Sequence, residues 1–167
     1  MKEIEFCGYY PGVVGKITEI HAVYYHANWG LDVTFETQVG RELSEFIAAF
    51  QEGRDGLWVA LRDGKFAGSV AIDGRQAQNQ GARLRWFIVV PEFQGAGIGK
   101  ELIGRAMAFC QTRPYPRAYL WTFKGLEAAR RLYEHHNFRL SLEHDVRQWG
   151  QNIKEQMYEL QLSVHGQ

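Results

Sequence analysis

Two cysteines in 167 residues, Cys7 and Cys110, are too few for a disulfide framework, and no C-x-x-C pair offers a zinc spacing. No apolar run approaches the ~20 residues of a membrane-spanning helix, and no N-x-S/T sequon occurs. The sequence does not open with a charged-then-apolar leader. Acidic and basic residues number 19 each, so bulk charge predicts affinity for neither nucleic acid nor an anionic membrane. The expectation is a soluble, cytoplasmic protein. Adjacent His135 and His136 lack the spacing for a shared metal on a helix, and no metal is expected.

What is present is the balance of an ordinary globular protein, 46% apolar and 23% charged, without repeats, low-complexity tracts or a dividing linker. One domain over 1–167 is expected. A strand over residues 2–10 ends at Pro11-Gly12. Val13, Ile17, Ile20 and Tyr24 then follow helical spacing as far as Trp29-Gly30, and Phe35, Val39, Leu43, Phe46 and Phe50 mark a second helix. Strands over 57–61 and 66–72 flank a hairpin turn at Asp63-Gly64, and a fourth strand covers 83–90. A helix from Ile98 carries Leu102, Ala106 and Phe109 on one face, with Cys110 packed beside them, and breaks before Pro114 and Pro116. A strand over 118–122, a short helix ending at Asn137, and strands over 138–146 and 155–164 complete the chain. The order β-α-α-β-β-β-α-β-α-β-β predicts an α/β (α+β) fold. Its central strand–helix–strand unit should be parallel and right-handed, within a single mixed twisted sheet that has helices on both faces.

The stretch FQGAGIGK, Phe93 to Lys100, places glycines at three alternate positions where that central helix begins. Glycine there is locally costly, so the backbone must be approached closely by something. A helix start presents unpaired N–H groups and the positive end of the helix dipole, which favour an anion such as a phosphate. The Walker pattern fails, because Glu101 follows Lys100 where Ser or Thr is needed. The dinucleotide pattern fails as well, with Lys100 in place of its last glycine and no acid between Glu101 and Glu127.

Q/R-x-x-G-x-G/A does fit, through Gln94, Gly97 and Gly99, preceded by VVPEF. This closely resembles the pyrophosphate loop of the GNAT superfamily, the acetyl-CoA-dependent N-acetyltransferases. AARRLYEHHNF, Ala128 to Phe138, is similar to that family's helix signature A-x-x-L-Y-E-x-x-G-F, and with the element order the likeness covers essentially the whole chain. PGVVG, LWTFKGLEAAR and Trp149-Gly150 further resemble the acetyltransferase half of fusions with a MarR-type winged helix. No part of these 167 residues resembles the DNA-binding half, so that activity is not carried over.

The resemblance implies direct acetyl transfer from acetyl-CoA to a primary amine of a small molecule, an amino acid or other carboxylate-bearing amine among the candidates, without a metal. Other acyl-CoA donors, a protein N-terminus as acceptor, and a noncatalytic acyl-CoA sensor stay open, and homodimers are common in the family. It implies CoA contacts from Phe87, Ile88 and Val89 of the fourth strand, where the family bulges. Further CoA contacts come from Gln94, Gly95, Ala96, Gly97, Ile98, Gly99 and Lys100, and from a cation among Arg105, Arg130 and Arg131, with Arg130 preferred. Tyr133 falls at the position of the acid that protonates the leaving sulfur. Leu126 replaces an asparagine that contacts the pantetheine arm in many relatives, and Asn137 replaces the helix-ending glycine. For a base, Glu36 is preferred for its place at the start of the second helix, beside Asp32, His21, His26 and Asp73. His21 also lies on an apolar stripe, where a hydrogen-bonded core histidine is the plainer reading. Arg83 and Arg85 share one strand face, and Arg85 is the candidate to hold an acceptor carboxylate.

Overall fold

A computed structural model describes residues 3–162 of the protein. The apolar stripes of the first third fold as two helices, α1 (Val13–Trp29) and α2 (Val33–Ala48). The first stops on Gly30, whose left-handed backbone (φ 71°) returns its N–H to the His26 carbonyl at 2.9 Å. The second is capped by Asp32, which accepts the Thr34 N–H at 2.9 Å. Both pack through Val13, Ile17, Phe35, Leu43 and Phe46 onto one face of the sheet.

That sheet has seven strands, β1 (Ile4–Cys7), β2 (Gly56–Arg62), β3 (Lys65–Asp73), β4 (Ala82–Val89), β5 (Arg117–Phe123), β6 (Arg139–Gln148) and β7 (Gln151–Gln161), in the order β1-β2-β3-β4-β5-β7-β6. Only β4 and β5 run parallel, as expected of the strands joined by α3 (Ile98–Gln111). This helix and α4 (Glu127–His135) cover the opposite face through Ile98, Leu102, Ala106, Cys110 and Tyr133. The mixed sheet with helices on both faces is the predicted fold. Among the described residues no helix is long and apolar enough to cross a membrane.

Strand ends differ from the sequence reading for identifiable reasons. The first strand stops at Cys7, the last residue paired with β2. The last two strands extend to a tight hairpin at Trp149-Gly150 (φ 55° and 79°), the same left-handed pair seen at Asp63-Gly64 (φ 52° and 76°). Val164, placed in the last strand from sequence, lies outside the described residues.

Two features of β4 create the site. Ser69 and Ala71 of β3 pair with Ile88 and Arg85, so three steps on β4 oppose two on β3. The extra residue is a β-bulge, and Trp86 takes it up in the left-handed region at φ 49°. The fully buried Ser69 hydroxyl donates to the Trp86 carbonyl at 2.8 Å and holds the bulge. The bulge also shifts the alternation: Leu84 and Phe87 pack toward α3, whereas Trp86 and Val90 pack toward α1 and α2. Beyond Ala82↔Ala118 and Arg83↔Tyr119, the parallel pair separates, while β5 stays bonded to β7 along its length.

Replacing Ser69 by alanine leaves the buried Trp86 carbonyl without that donor, at an expected cost of about 1–3 kcal/mol. Urea denaturation measures it; an unchanged midpoint would mean that the carbonyl finds another donor.

Candidate active site

The gap between β4 and β5 opens into a cleft of about 1020 Å³ that runs from the glycine loop and α4 to α1 and α2. Its first wall is the loop itself. Gly95 and Gly97 adopt φ 85° and 81°, and a Cβ on either would meet no heavy atom within 4 Å. Gly99 is there for a different reason: its Cβ would lie 3.2 Å from Leu132, 3.3 Å from Phe87 and 3.4 Å from Val89, so it allows α3 to sit close on β4 and α4. The helical ladder begins with Glu101 N–H to Gly97 O at 3.1 Å, so the N–H groups of Ile98, Gly99 and Lys100 precede it. Those donors, the helix dipole and the Lys100 and Arg131 side chains at the cleft suit a polyphosphate.

Arg131, rather than Arg130, lines the cleft. Arg130 lies across the helix and pairs with Glu127 and Glu134. Arg105 is likewise occupied, by Glu101 at 2.9 Å and the Phe6 ring at 4.0 Å. Helical spacing carried the distinction, since Ala128, Arg131, Leu132 and His135 form one stripe and Arg130 falls off it. Ala96 is exposed and does not line the cleft, whereas Gln94, Gly95 and Gly97 do.

The second wall is the edge of β4, with Phe87, Ile88 and Val89 at the cleft. Val90 donates its N–H to β3, at Ala67 O and 2.8 Å. Strand alternation therefore turns the Val89 N–H and C=O to the opposite edge, facing the gap. Gln94 Nε2 donates to that Val89 carbonyl at 3.2 Å, which ties the glycine loop to the strand edge.

Tyr133 is 6% exposed and lines the cleft against Phe87, Phe138 and Tyr158. Burial raises its pKa well above the ordinary phenol value, so it stays protonated. Across from it, Tyr25, His21, Trp29 and Phe35 form an aromatic floor. His21 is 5% exposed, and its Nδ1 lies 2.8 Å from the Ile17 carbonyl. A carbonyl only accepts, so Nδ1 carries the hydrogen and Nε2 keeps its lone pair. Burial, against a smaller opposing effect of that bond, pushes the His21 pKa down from 6.5 to about 4, so the ring is neutral.

The other base candidates sit elsewhere. Glu36 is exposed on α2 and away from the cleft, where Phe35, Gln38, Val39 and Glu42 form the lining stripe. The same spacing that marks Phe35 as buried sets Glu36 off that stripe and Glu42 on it. Asp32 is committed to capping α2, and His26 Nδ1 bonds the Leu31 carbonyl at 3.0 Å. Asp73 pairs with Arg75 at 2.7 Å. Arg85, named as a carboxylate holder, is itself held by Glu42 at 2.8 Å and Asp73 at 3.3 Å, and stacks 4.2 Å from the Trp86 ring. Leu126 lines the cleft and offers no hydrogen bond from its side chain. Among the described residues no group of His, Cys, Asp or Glu gathers to hold a metal.

Known proteins resemble this chain in sequence and fold. Residues 14–138 match the model of the acetyltransferase (GNAT) family. An N-acetyltransferase of Archaeoglobus fulgidus is 29% identical over 121 residues, covering 70% of this chain and 82% of that one. The N-acetylaspartate synthetase of Danio rerio is 37% identical over 83 residues, which span 50% of this chain and only 29% of that protein. Among solved structures, the yncA protein of Salmonella typhimurium, determined with its cofactor acetyl-CoA, superposes with a TM-score of 0.73 at 19% identity, covering 98% of this chain and 96% of the other. With a family model spanning most of its length, this chain belongs to the GNAT family of acetyltransferases.

Proposed function

We propose that the protein transfers an acetyl group from acetyl-CoA to the primary amine of a small acceptor lodged between β4, β5 and the α1–α2 layer. The observation that carries this reading is a single cleft joining an anion-binding helix start to an aromatic, mostly neutral pocket, with Tyr133 at the junction. The unpaired N–H groups of Ile98, Gly99 and Lys100, with Lys100 and Arg131, would hold the pyrophosphate, and Phe87 to Val89 would flank the pantetheine arm. Bound acetyl-CoA supplies the acetyl group as a thioester. The Val89 N–H facing the gap is placed to stabilise negative charge on the thioester oxygen, a contribution of a few kcal/mol.

His21 Nε2 is the better candidate than Glu36 to receive a hydrogen bond from the amine and aim its lone pair. With a pKa of about 4 it is a neutral acceptor at pH 7 rather than a cation. The amine loses one proton and the departing sulfur gains one, so the proton count closes within the pair of substrates. Tyr133 donates its hydroxyl to the sulfur as charge develops there. With its pKa raised, Tyr133 is protonated at rest, and the proton it gives to the sulfur is replaced by the one the amine loses.

Three outcomes test this. Gly97→Val places a β-branched side chain at φ 81° beside the open loop and should abolish CoA binding in calorimetry while the circular dichroism of the fold persists. Retained affinity would remove the loop from the phosphate site. Tyr133→Phe keeps the ring packing and should lower kcat by about 10²–10⁴-fold with CoA affinity nearly unchanged. A near-normal kcat would refute the sulfur donor, and acetyl-CoA binding with no thiol release to any amine would favour the sensor. The third outcome concerns pH. Since the unfolded chain protonates His21 near 6.5 and the folded chain only near 4, its contribution is complete above 6.5 and is lost as pH falls toward 4. This loss amounts to about 3 kcal/mol and should be missing from the stability–pH profile of His21→Gln.

A further inference from the structure

Three guanidinium groups gather where the acceptor end of the cleft meets a second, smaller cavity of about 260 Å³. Arg75 and Arg85 both pair with Asp73, and Arg85 also with Glu42. Asp73 and Glu42 are thus committed to Arg75 and Arg85, and Asp55 and Glu45 also act on Arg75, whereas no carboxylate pairs with the Arg83 side chain among the described residues. Arg83 is the cation left over. It lines both cavities, its side chain has no hydrogen bond or ion pair among the described residues, and its Nε is buried with no partner. A buried guanidinium nitrogen left unpaired is costly, and a partner of opposite charge is the usual remedy. Burial, and next the nearby Arg83 charge, lower the pKa of Arg85 against the raising effects of Glu42 and Asp73, so Arg83 lies close enough to be felt by its neighbour.

The rest of the small cavity suits an anion. Tyr119, the parallel-strand partner of Arg83, and Gln80 add polar groups, and the Tyr119 hydroxyl lies 3.4 Å from Gln80 Oε1. Position along the strand adds a constraint on length. Arg83 stands four positions before Phe87, which is the first residue proposed to flank the pantetheine arm and lies two before Val89. That is up to about 13 Å at ~3.3 Å per residue, with the bulge shortening the span. The arginine side chain covers part of that span and the acceptor must cover the remainder. An amine and a carboxylate on one carbon atom are too close together to do so.

We propose that Arg83 is a specificity residue that binds a distal carboxylate of the acceptor, so that the preferred substrates are amino acids carrying a second, side-chain carboxylate. This inference rests on the transferase reading above and refines it by naming the substrate class. Arg85, fixed by Glu42 and Asp73 and stacked on Trp86, is the positioning residue that keeps Arg83's surroundings rigid.

Isosteric acceptor pairs test it without altering the protein. L-glutamate against L-glutamine, and L-aspartate against L-asparagine, differ in the distal carboxylate alone. Thiol release should favour the acid of at least one pair by about 10- to 100-fold in kcat/KM, the value of a charged hydrogen-bonded contact. Arg83→Met should erase that preference through KM while the calorimetric affinity for CoA is unchanged, and Arg83→Lys should restore part of it. Equal rates within both pairs, or a preference that survives in Arg83→Met, would overturn the assignment while leaving the transferase intact. If acetyl-CoA binds and no amine releases thiol, the transferase reading fails. Calorimetry of L-glutamate and L-glutamine on the CoA-loaded protein then decides the site, with equal or absent binding counting against it.

Discussion

The left-handed backbone at Trp86 divides β4 into two strands of opposite phase, and the rest of the site follows from that division. Before it, Arg83 and Arg85 face the α1–α2 layer; after it, Phe87 and Val89 face α3 and the glycine loop. A regular strand would keep one alternation throughout and could not turn Arg83 and Arg85 to the α1–α2 face and Phe87 and Val89 to the opposite one. A large aromatic residue in this conformation is strained, and the strain persists because the environment fixes it. Ser69 satisfies the carbonyl of the bulge, and the indole is anchored by Phe46 at 5.4 Å and by the Arg85 guanidinium at 4.2 Å.

Charge in the cleft is arranged by separation. At the phosphate end, backbone N–H groups, Lys100 and Arg131 carry positive character. At the acceptor end, most cations are neutralised before they reach the cavity, Arg85 by two carboxylates and Arg75 by one. The middle is kept uncharged. Burial holds His21 as a neutral imidazole and Tyr133 as a neutral phenol. In a low-dielectric site such neutral dipoles interact strongly with developing charge, and they do not need to change protonation state first.

Much of this was legible in the sequence because it depends on local rules. Glycines at alternate positions ahead of a helical stripe announce a helix start that something approaches closely, and Gly95 and Gly97 occupy open, left-handed positions there. Asp63-Gly64 marked its hairpin through the same preference, and the spacing of apolar residues gave α1, α2, α3 and the order of layers. The likeness to known acetyltransferases rested on such local signatures, and a family match over residues 14–138 agrees with it.

Side-chain partners were decided by tertiary structure, because they join residues far apart in the chain. Arg85 looked available on its strand, but Glu42 reaches it from α2, 43 residues away, while the residue two positions earlier is left without a carboxylate. Glu36 and Arg130 were plausible by position, and each points off the stripe that faces the cleft. The bulge was implied only by the resemblance, not by its residues, since Trp86 has no intrinsic preference for a left-handed backbone; the contacts with Ser69 and Phe46 hold it there. Periodicity and turn chemistry are properties of neighbours in sequence, so the chain alone determined its elements and its glycine loop. Charge neutralisation and backbone strain are properties of neighbours in space, and only the folded sheet could assign them.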